Sequence, residues 1–470
     1  MEKYYDHDSE SGVMEAVERF EKMLRENQNF FFDAEVYEMI IDYYKSKNKL
    51  ERALQTCEIA LKQHPFSAEL LLEKASILTH QEKYGKALFI VEKLSLVHPN
   101  DADILMLKAQ IYQYTGRAQE AIRILQEVSI QNNEKEEAYY RLAQLLMQEE
   151  KHKQATAYLF KILQLNISHD EAAQELIYCL HLTESYEEGK TFFNTLLDED
   201  PYCYQAWYYI GLLHHHFQQY EDALFALDYA TIIREDFAEA YVEIGHVYMN
   251  AKMYKNAIQS YEQALKHLSP NAELYCHIAA AYEKNKQFPP AQHYYKKALS
   301  ESPEWDEAWY GMATCMMAKE RWHDAIHYAK KALQINAFQE NYWFLLARAE
   351  HQMGNVHSSD EAYMRSSEIY PSFEELWLHW SMLHYESGNE NKAINIVLEG
   401  LDELPDSALL IYRLAAYLIM SGRYKEAFVY LEKALILDFD KHTSLFEFFP
   451  ELEMQKALYR IIEQYRKENL

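Results

Sequence analysis

The sequence predicts an all-α protein, an α-solenoid of stacked helix-turn-helix repeats, on three observations. A small residue recurs every 34 positions without a slip: Ala53, Ala87, Ala121, Ala155, Gly189, Ala223, Ala257, Ala291, Ala325, Ser359, Ala393 and Ala427. Sixteen residues before it stands a bulky one, as in Tyr37, Leu71, Leu105, Tyr139, Trp207, Tyr241, Tyr275, Trp309, Trp343, Trp377 and Ile411; Ala173 alone departs. Within each period the apolar spacings of three, four and seven are helical, and no stretch alternates as a strand would. A single repeat cannot bury its apolar face, so neighbours must supply the core, and the product is a long surface.

The repeats are numbered so that repeat n begins at residue 34n, which places twelve of them in residues 34–441. Each reads as two helices. The first carries the bulky residue and, at its eighth place, a small one in ten repeats: Ala75, Ala109, Ala143, Gly211, Gly245, Ala279, Ala313, Ala347, Ser381 and Ala415. A turn follows near Gly116, Gly354, Gly388 and Gly422. The second helix carries the 34-residue marker and, seven residues on, another small residue such as Ala60, Ala230, Ala264, Ala298, Ala332 or Ala434; Leu94, Val128, Ile162 and Leu196 replace it in repeats 2 to 5, which should pack differently. Helices approach closely only where both lack bulk. Pro65, Pro99, Pro201, Pro303, Pro371 and Pro405 punctuate the repeats, stopping one helix or opening the next.

The two ends must cover what a terminal repeat exposes. Residues 1–33 are expected to form an N-terminal cap, with Ala16, Phe20 and Met23 at helical spacing before Phe30, Phe31 and Phe32. Residues 442–470 are expected to form a C-terminal capping helix, with Leu452, Leu458, Ile461, Ile462 and Tyr465 on one side.

Bulky, small and aromatic residues at these offsets resemble the tetratricopeptide repeat (TPR), most closely in the run Ala206–Gly211 through Tyr220–Ala223 to Ala230. The likeness covers residues 34–441, and the whole chain is similar to bacterial proteins made only of this repeat. It implies a right-handed superhelix, a protein-binding role and no catalysis. In the family the inner wall is formed by the second, fifth, ninth, twelfth and thirteenth places of each first helix. Here the last four of those places hold only seven charged residues: Glu38, Asp42, Lys45, Glu283, Lys284, Arg348 and Glu386. Aromatic, apolar and His side chains fill much of the rest. The expected groove comprises Met106, Tyr140, Tyr178, Tyr208, Leu212, His215, Val242, His246, Met249, Tyr310, Met317, Phe344, Met382, Tyr385 and Tyr412. Such a surface suits an apolar peptide or an amphipathic helix of a partner protein. The other reading is that adjacent repeats cover these residues and leave no groove. A second function class, an assembly chaperone or a self-associating protein, would use the apolar stretch Leu409, Tyr412, Ile419 and Met420.

Charge and motif content exclude other classes. A formal −28 repels phosphate backbones and anionic lipid, so neither nucleic acid nor a membrane is an expected partner. That acidity reads either as an ordinary solvated surface or as steering of a basic partner. Five cysteines with no C-x-x-C pair predict no disulfide framework, and the acidic start Met1–Asp6 reads as no secretory signal, so a cytoplasmic monomer is expected. The clamp that holds acidic C-termini in this family needs Lys and Asn on the wall; no ninth place is Asn and only Lys45 occupies a twelfth. Gly189-Lys190-Thr191 echoes a phosphate loop, but Glu184 stands where the earlier glycine is required. His214, His215 and His216 with His181 and His246 lack the i, i+4 spacing of a metal site. No cofactor, metal or catalytic residue is expected. Trp309, Trp322, Trp343, Trp377 and Trp380 read as core, while Trp305 divides evenly between loop packing and groove contact.

Overall fold

The second helices of the repeats begin at Leu50, Tyr84, Ala118, His152, Tyr186, Tyr220, Tyr254, Phe288, Trp322, Val356, Glu390 and Tyr424, in unbroken 34-residue steps. The computed structural model describes residues 7–26, 30–131, 135–450, 452 and 456–469. Among these residues there is no strand, and twelve helix pairs run from Ala34–Ser46 with Leu50–Gln63 to Ala408–Met420 with Tyr424–Leu437. The chain divides into two compact bodies, residues 1–234 and 235–470, holding repeats 1 to 6 and 7 to 12. Within each body, every first helix packs on the second helix of its own repeat and on that of the repeat before. First helices also touch one another, in repeats 1 to 3, 5 to 6 and 8 to 12, so a continuous face of first helices lines each of those runs.

Each hairpin turns by one device. The fifteenth residue of every repeat is left-handed: Gly116, Gly354, Gly388 and Gly422 at φ 74 to 77°, and Asn48, Glu82, Glu150, Glu184, Gln218, Lys252, Lys286 and Glu320 at φ 53 to 59°. The next N–H then reaches back to the carbonyl five residues earlier, as in Arg117 N–H to Tyr112 O at 2.8 Å and Lys151 N–H to Leu146 O at 2.8 Å, which satisfies a carbonyl the ending helix leaves open. The sequence marks this turn at four glycines. At the other eight positions a side chain accepts a conformation that costs roughly 1–2 kcal/mol outside glycine. Glu150→Gly is therefore expected to stabilise the first body by about 0.5–1 kcal/mol after the larger chain entropy of glycine is subtracted. A higher urea midpoint would show it.

The turns between repeats are held by side chains. Ser67, Asp101, Asn271 and Ser407 cap the next helix by accepting the N–H three residues on, at 2.7 to 3.2 Å. Where tryptophan fills the fourth place, its indole N–H donates to the carbonyl six residues back: Trp207 to Pro201, Trp309 to Pro303 and Trp343 to Ala337 at 2.9 Å, and Trp377 to Pro371 at 2.7 Å. Tryptophan thus fixes the turn as well as filling space. Of the five expected core tryptophans only Trp377 and Trp380 are buried; Trp309, Trp322 and Trp343 are half-buried. Trp305 packs against the core of its own body, which favours loop packing over groove contact.

The marker position is buried in all twelve repeats. So is the twenty-fourth place, which the sequence reading passed over: Cys57, Val91, Leu125, Leu159, Phe193, Leu227, Tyr261, Tyr295, Ala329, Tyr363, Val397 and Leu431. At the N-terminus, helix His7–Glu26 buries Val17, Phe20 and Met23 against Phe32, Tyr37 and Ile40, while Ala16 is half-buried and Phe31 exposed. Residues 1–6 and 27–29 of the expected cap lie outside the described residues. Beyond repeat 12, a short helix Ser444–Phe448 packs on Ala408–Met420, and helix Lys456–Asn469 follows. Leu445, Phe449, Leu452, Leu458 and Ile462 are buried there. Ile461 and Tyr465 of the expected cap are half-buried and pack on the same core, and residues 451, 453–455 and 470 lie outside the described residues.

Candidate inner-wall interface

In repeats 4, 9 and 10 the fifth-place side chain of the first helix meets the next repeat. Tyr310 stacks on Tyr342 with ring centroids 4.8 Å apart, Tyr140 lies 4.7 Å from His169, and Phe344 packs on Phe373 at 4.8 Å and His379 at 5.5 Å. Met106, Leu212, Phe344 and Tyr412 are buried, between 1 and 9 % exposed. A partner cannot reach them. They are packing residues, corrected from the expected groove set, because the adjacent chain closes over them; the Tyr412 hydroxyl donates to Asp438 O at 2.9 Å. Tyr178 is exposed, and Tyr140, Tyr208, His215, Val242, His246, Met249, Tyr310, Met317, Met382 and Tyr385 are half-buried.

The seven charged wall residues form two groups. In repeat 1, Lys45 bridges Asp42 at 3.3 Å and Glu73 of the next repeat at 2.8 Å, so charge is matched locally. The other four, Glu283, Lys284, Arg348 and Glu386, belong to repeats 8 to 11 of the second body. There a hollow of about 620 Å³ opens on the wall, lined by Glu283, Lys284, Lys286, Phe288, Thr314, Met317, Glu320, Trp322, Arg348, His351, Gln352 and His379. Burial raises the Glu283 carboxyl above the usual range even though Tyr295 donates to it at 2.8 Å. Burial, with the cations Arg348, Arg413 and His351 nearby, pushes His379 down to about 4, so its ring is neutral at pH 7. His351 pairs with Glu386 at 2.8 Å. Arg348 lies 5.6 Å from the centroid of the Phe344 ring and makes no ion pair among the described residues. His379, at a sixth place, and Trp322, opening a second helix, were missed because neither occupies a family wall position. The lone arginine among ninth-place residues was the available signal.

Other candidate chemistry finds structural roles. Gly189-Lys190-Thr191 lies inside helix Tyr186–Glu199, and an added Cβ at Gly189 would come within 2.6 Å of Leu180. No group of three His, Cys, Asp or Glu able to hold a metal occurs among the described residues. All five cysteines are free, and burial pushes the thiols up to about 12 at Cys57, Cys276 and Cys315 and about 11 at Cys179, which leaves them inert. No helix among the described residues is long and apolar enough to cross a membrane. On the apolar stretch of repeat 12, Tyr412 and Ile419 are buried and only Leu409 and Met420 are half-buried, so it offers no broad contact surface.

Comparison with known proteins adds the following. One tetratricopeptide-repeat family model matches residues 45–111 and 285–349, a second 238–266 and 340–373, and a third 184–236; together they span just over half of the chain. The model for subunit 3 of the anaphase-promoting complex, or cyclosome, matches residues 80–162. Among solved structures, the APC/C hetero-tetramer Cut9-Hcn1 is similar over 89 % of this chain and 94 % of that one, at 14 % identity and a TM-score of 0.43. YrrB, a TPR protein described as having an unusual peptide-binding site, is similar over 40 % of this chain and 96 % of that one, at 21 % identity and a TM-score of 0.33. No curated protein sequence matches.

Proposed function

Because this chain belongs to the tetratricopeptide-repeat family, we propose that it is a non-enzymatic scaffold, holding a peptide or helical segment of partner proteins along its first helices. The observation that carries this reading is the open hollow on the wall of repeats 8 to 11, since it offers a partner concave surface that the neighbouring repeats leave uncovered. Half-buried Tyr, Met and His side chains extend the contact along the wall. Their stems are already ordered by packing, so a partner gains contact area at small entropic cost. The Met side chains adapt to partners of different shape. The −28 charge favours encounter with basic or amphipathic partners and disfavours nucleic acid.

Affinity capture tests the reading. Tyr178 is exposed, whereas Met317 lines the hollow and also packs on the core, so Tyr178→Ala with Met317→Ala should lower the melting temperature by a few degrees, leave the chain folded at the assay temperature, and lower the yield of specific partners about tenfold or more, the loss typical of two interface contacts. Identical captured sets and yields from both baits would mean that partners use another face.

A further inference from the structure

We propose that the hollow of the second body is a subsite for one acidic side chain, aspartate or glutamate, of a peptide whose other residues are apolar or basic. This rests on the groove reading above and adds the chemistry of one contact. Wall charge is scarce, yet four of its seven instances fall in repeats 8 to 11, and three of those four, Glu283, Lys284 and Arg348, line the hollow. The two acids among the four are engaged: Glu283 accepts from Tyr295, and Glu386 accepts from His351. Arg348 has only the Phe344 ring. An unpaired guanidinium in a chain with 74 acidic and 46 basic side chains, Lys and Arg together, is a site whose counter-ion comes from outside. Its planar fork takes a carboxylate through two parallel N–H bonds.

The surroundings narrow the occupant further. The neutral His379 ring supplies an N–H donor without another charge, and Met317 and Trp322 add apolar surface to the lining. A peptide acidic along its length would meet the field of −28, whereas one carboxylate among basic and apolar residues would not. A free C-terminus lacks the wall asparagines that would hold its backbone, since no ninth place is Asn.

The test is a displayed library of random nonapeptides selected on the full chain and on its Arg348→Gln variant. Arg348 is exposed, and matched melting temperatures will show that the variant is folded. Selection on the intact chain should fix Asp or Glu at one position, and selection on the variant should not. A selected peptide, synthesised with Gln for that residue, should bind the intact chain about tenfold or more weakly and the variant within about twofold, as expected for loss of one charge-assisted pair. Amidating its C-terminus should change little. Equal binding of the Glu and Gln peptides, or selected peptides without an acidic residue, would overturn the subsite and leave the groove intact. Dependence on the free C-terminus would overturn it in favour of terminal recognition. Enrichment of no peptide at all would overturn both readings.

Discussion

Gly311→Ala is expected to destabilise the second body by about 2 kcal/mol, the net of two opposed effects. Gly311 lies within helix Asp306–Met317, where alanine in place of glycine ordinarily gains about 1 kcal/mol. A Cβ there would stand 2.0 Å from Cζ of Tyr295 and within 2.5 Å of two further ring atoms. That ring is 4 % exposed, and its hydroxyl is tied to Glu283, so it cannot swing away as a flexible side chain would. Overpacking of this kind costs roughly 1–3 kcal/mol or more, and a rigid, hydrogen-bonded ring belongs at the upper end. Overpacking therefore wins. Gly85→Ala is the control: nothing lies within 4 Å of an added Cβ in helix Tyr84–Val97, and a small gain is expected. Chemical denaturation of the two variants should move in opposite directions. Adding Tyr295→Leu to Gly311→Ala should recover part of the loss, a coupling that a double-mutant cycle would measure. Because Tyr295 holds Glu283 at the wall, the clash should also disturb the hollow.

These residues show what the sequence could and could not reveal. The 34-residue marker was legible because close helix approach restricts its identity, and Ala, Gly or Ser fills it throughout. The twenty-fourth place is equally buried but ranges from Ala329 to Tyr295, since its size is set by a partner that changes from repeat to repeat: Tyr261 meets Gly245, and Tyr295 meets Gly311. Only the pair is constrained. A single column of residues therefore hides it. The turn was legible at Gly116 and opaque at Glu150, because two flanking helices force the left-handed conformation whatever the side chain. On the wall, periodicity gave the face but not the depth. Met317 and Phe344 occupy the same face, yet Phe373 and His379 close over Phe344 and leave Met317 half-open.

The other large effect is expected at Asp360, on second helix Val356–Ile369. Its Oδ1 accepts from Trp380 Nε1 at 2.7 Å and His384 Nε2 at 2.6 Å, both on first helix Glu374–Glu386, and its Oδ2 accepts from Lys392 Nζ at 2.8 Å on the helix after that. One carboxylate thus joins three helices across repeats 10 and 11. Trp380 and His384 are 7 % and 4 % exposed, so removing the acceptor leaves two buried donors without a partner. Asp360→Ala should cost about 2–4 kcal/mol near neutral pH, and Asp360→Asn, which keeps an acceptor but not the charge, roughly half as much. Burial works to raise this carboxyl, but the hydrogen bonds from Lys392, Trp380 and His384 outweigh it and hold it below the usual range. A carboxylate depressed in the folded state contributes stability that is full above its unfolded pKa, about 3.9, and is lost as the pH falls through the lower folded value. The stability gap between the intact chain and Asp360→Asn should therefore reflect the full carboxylate contribution well above pH 4 and narrow on acidification below it. A gap that stayed constant down to pH 2 would show that the charge of Asp360 does not hold these helices together.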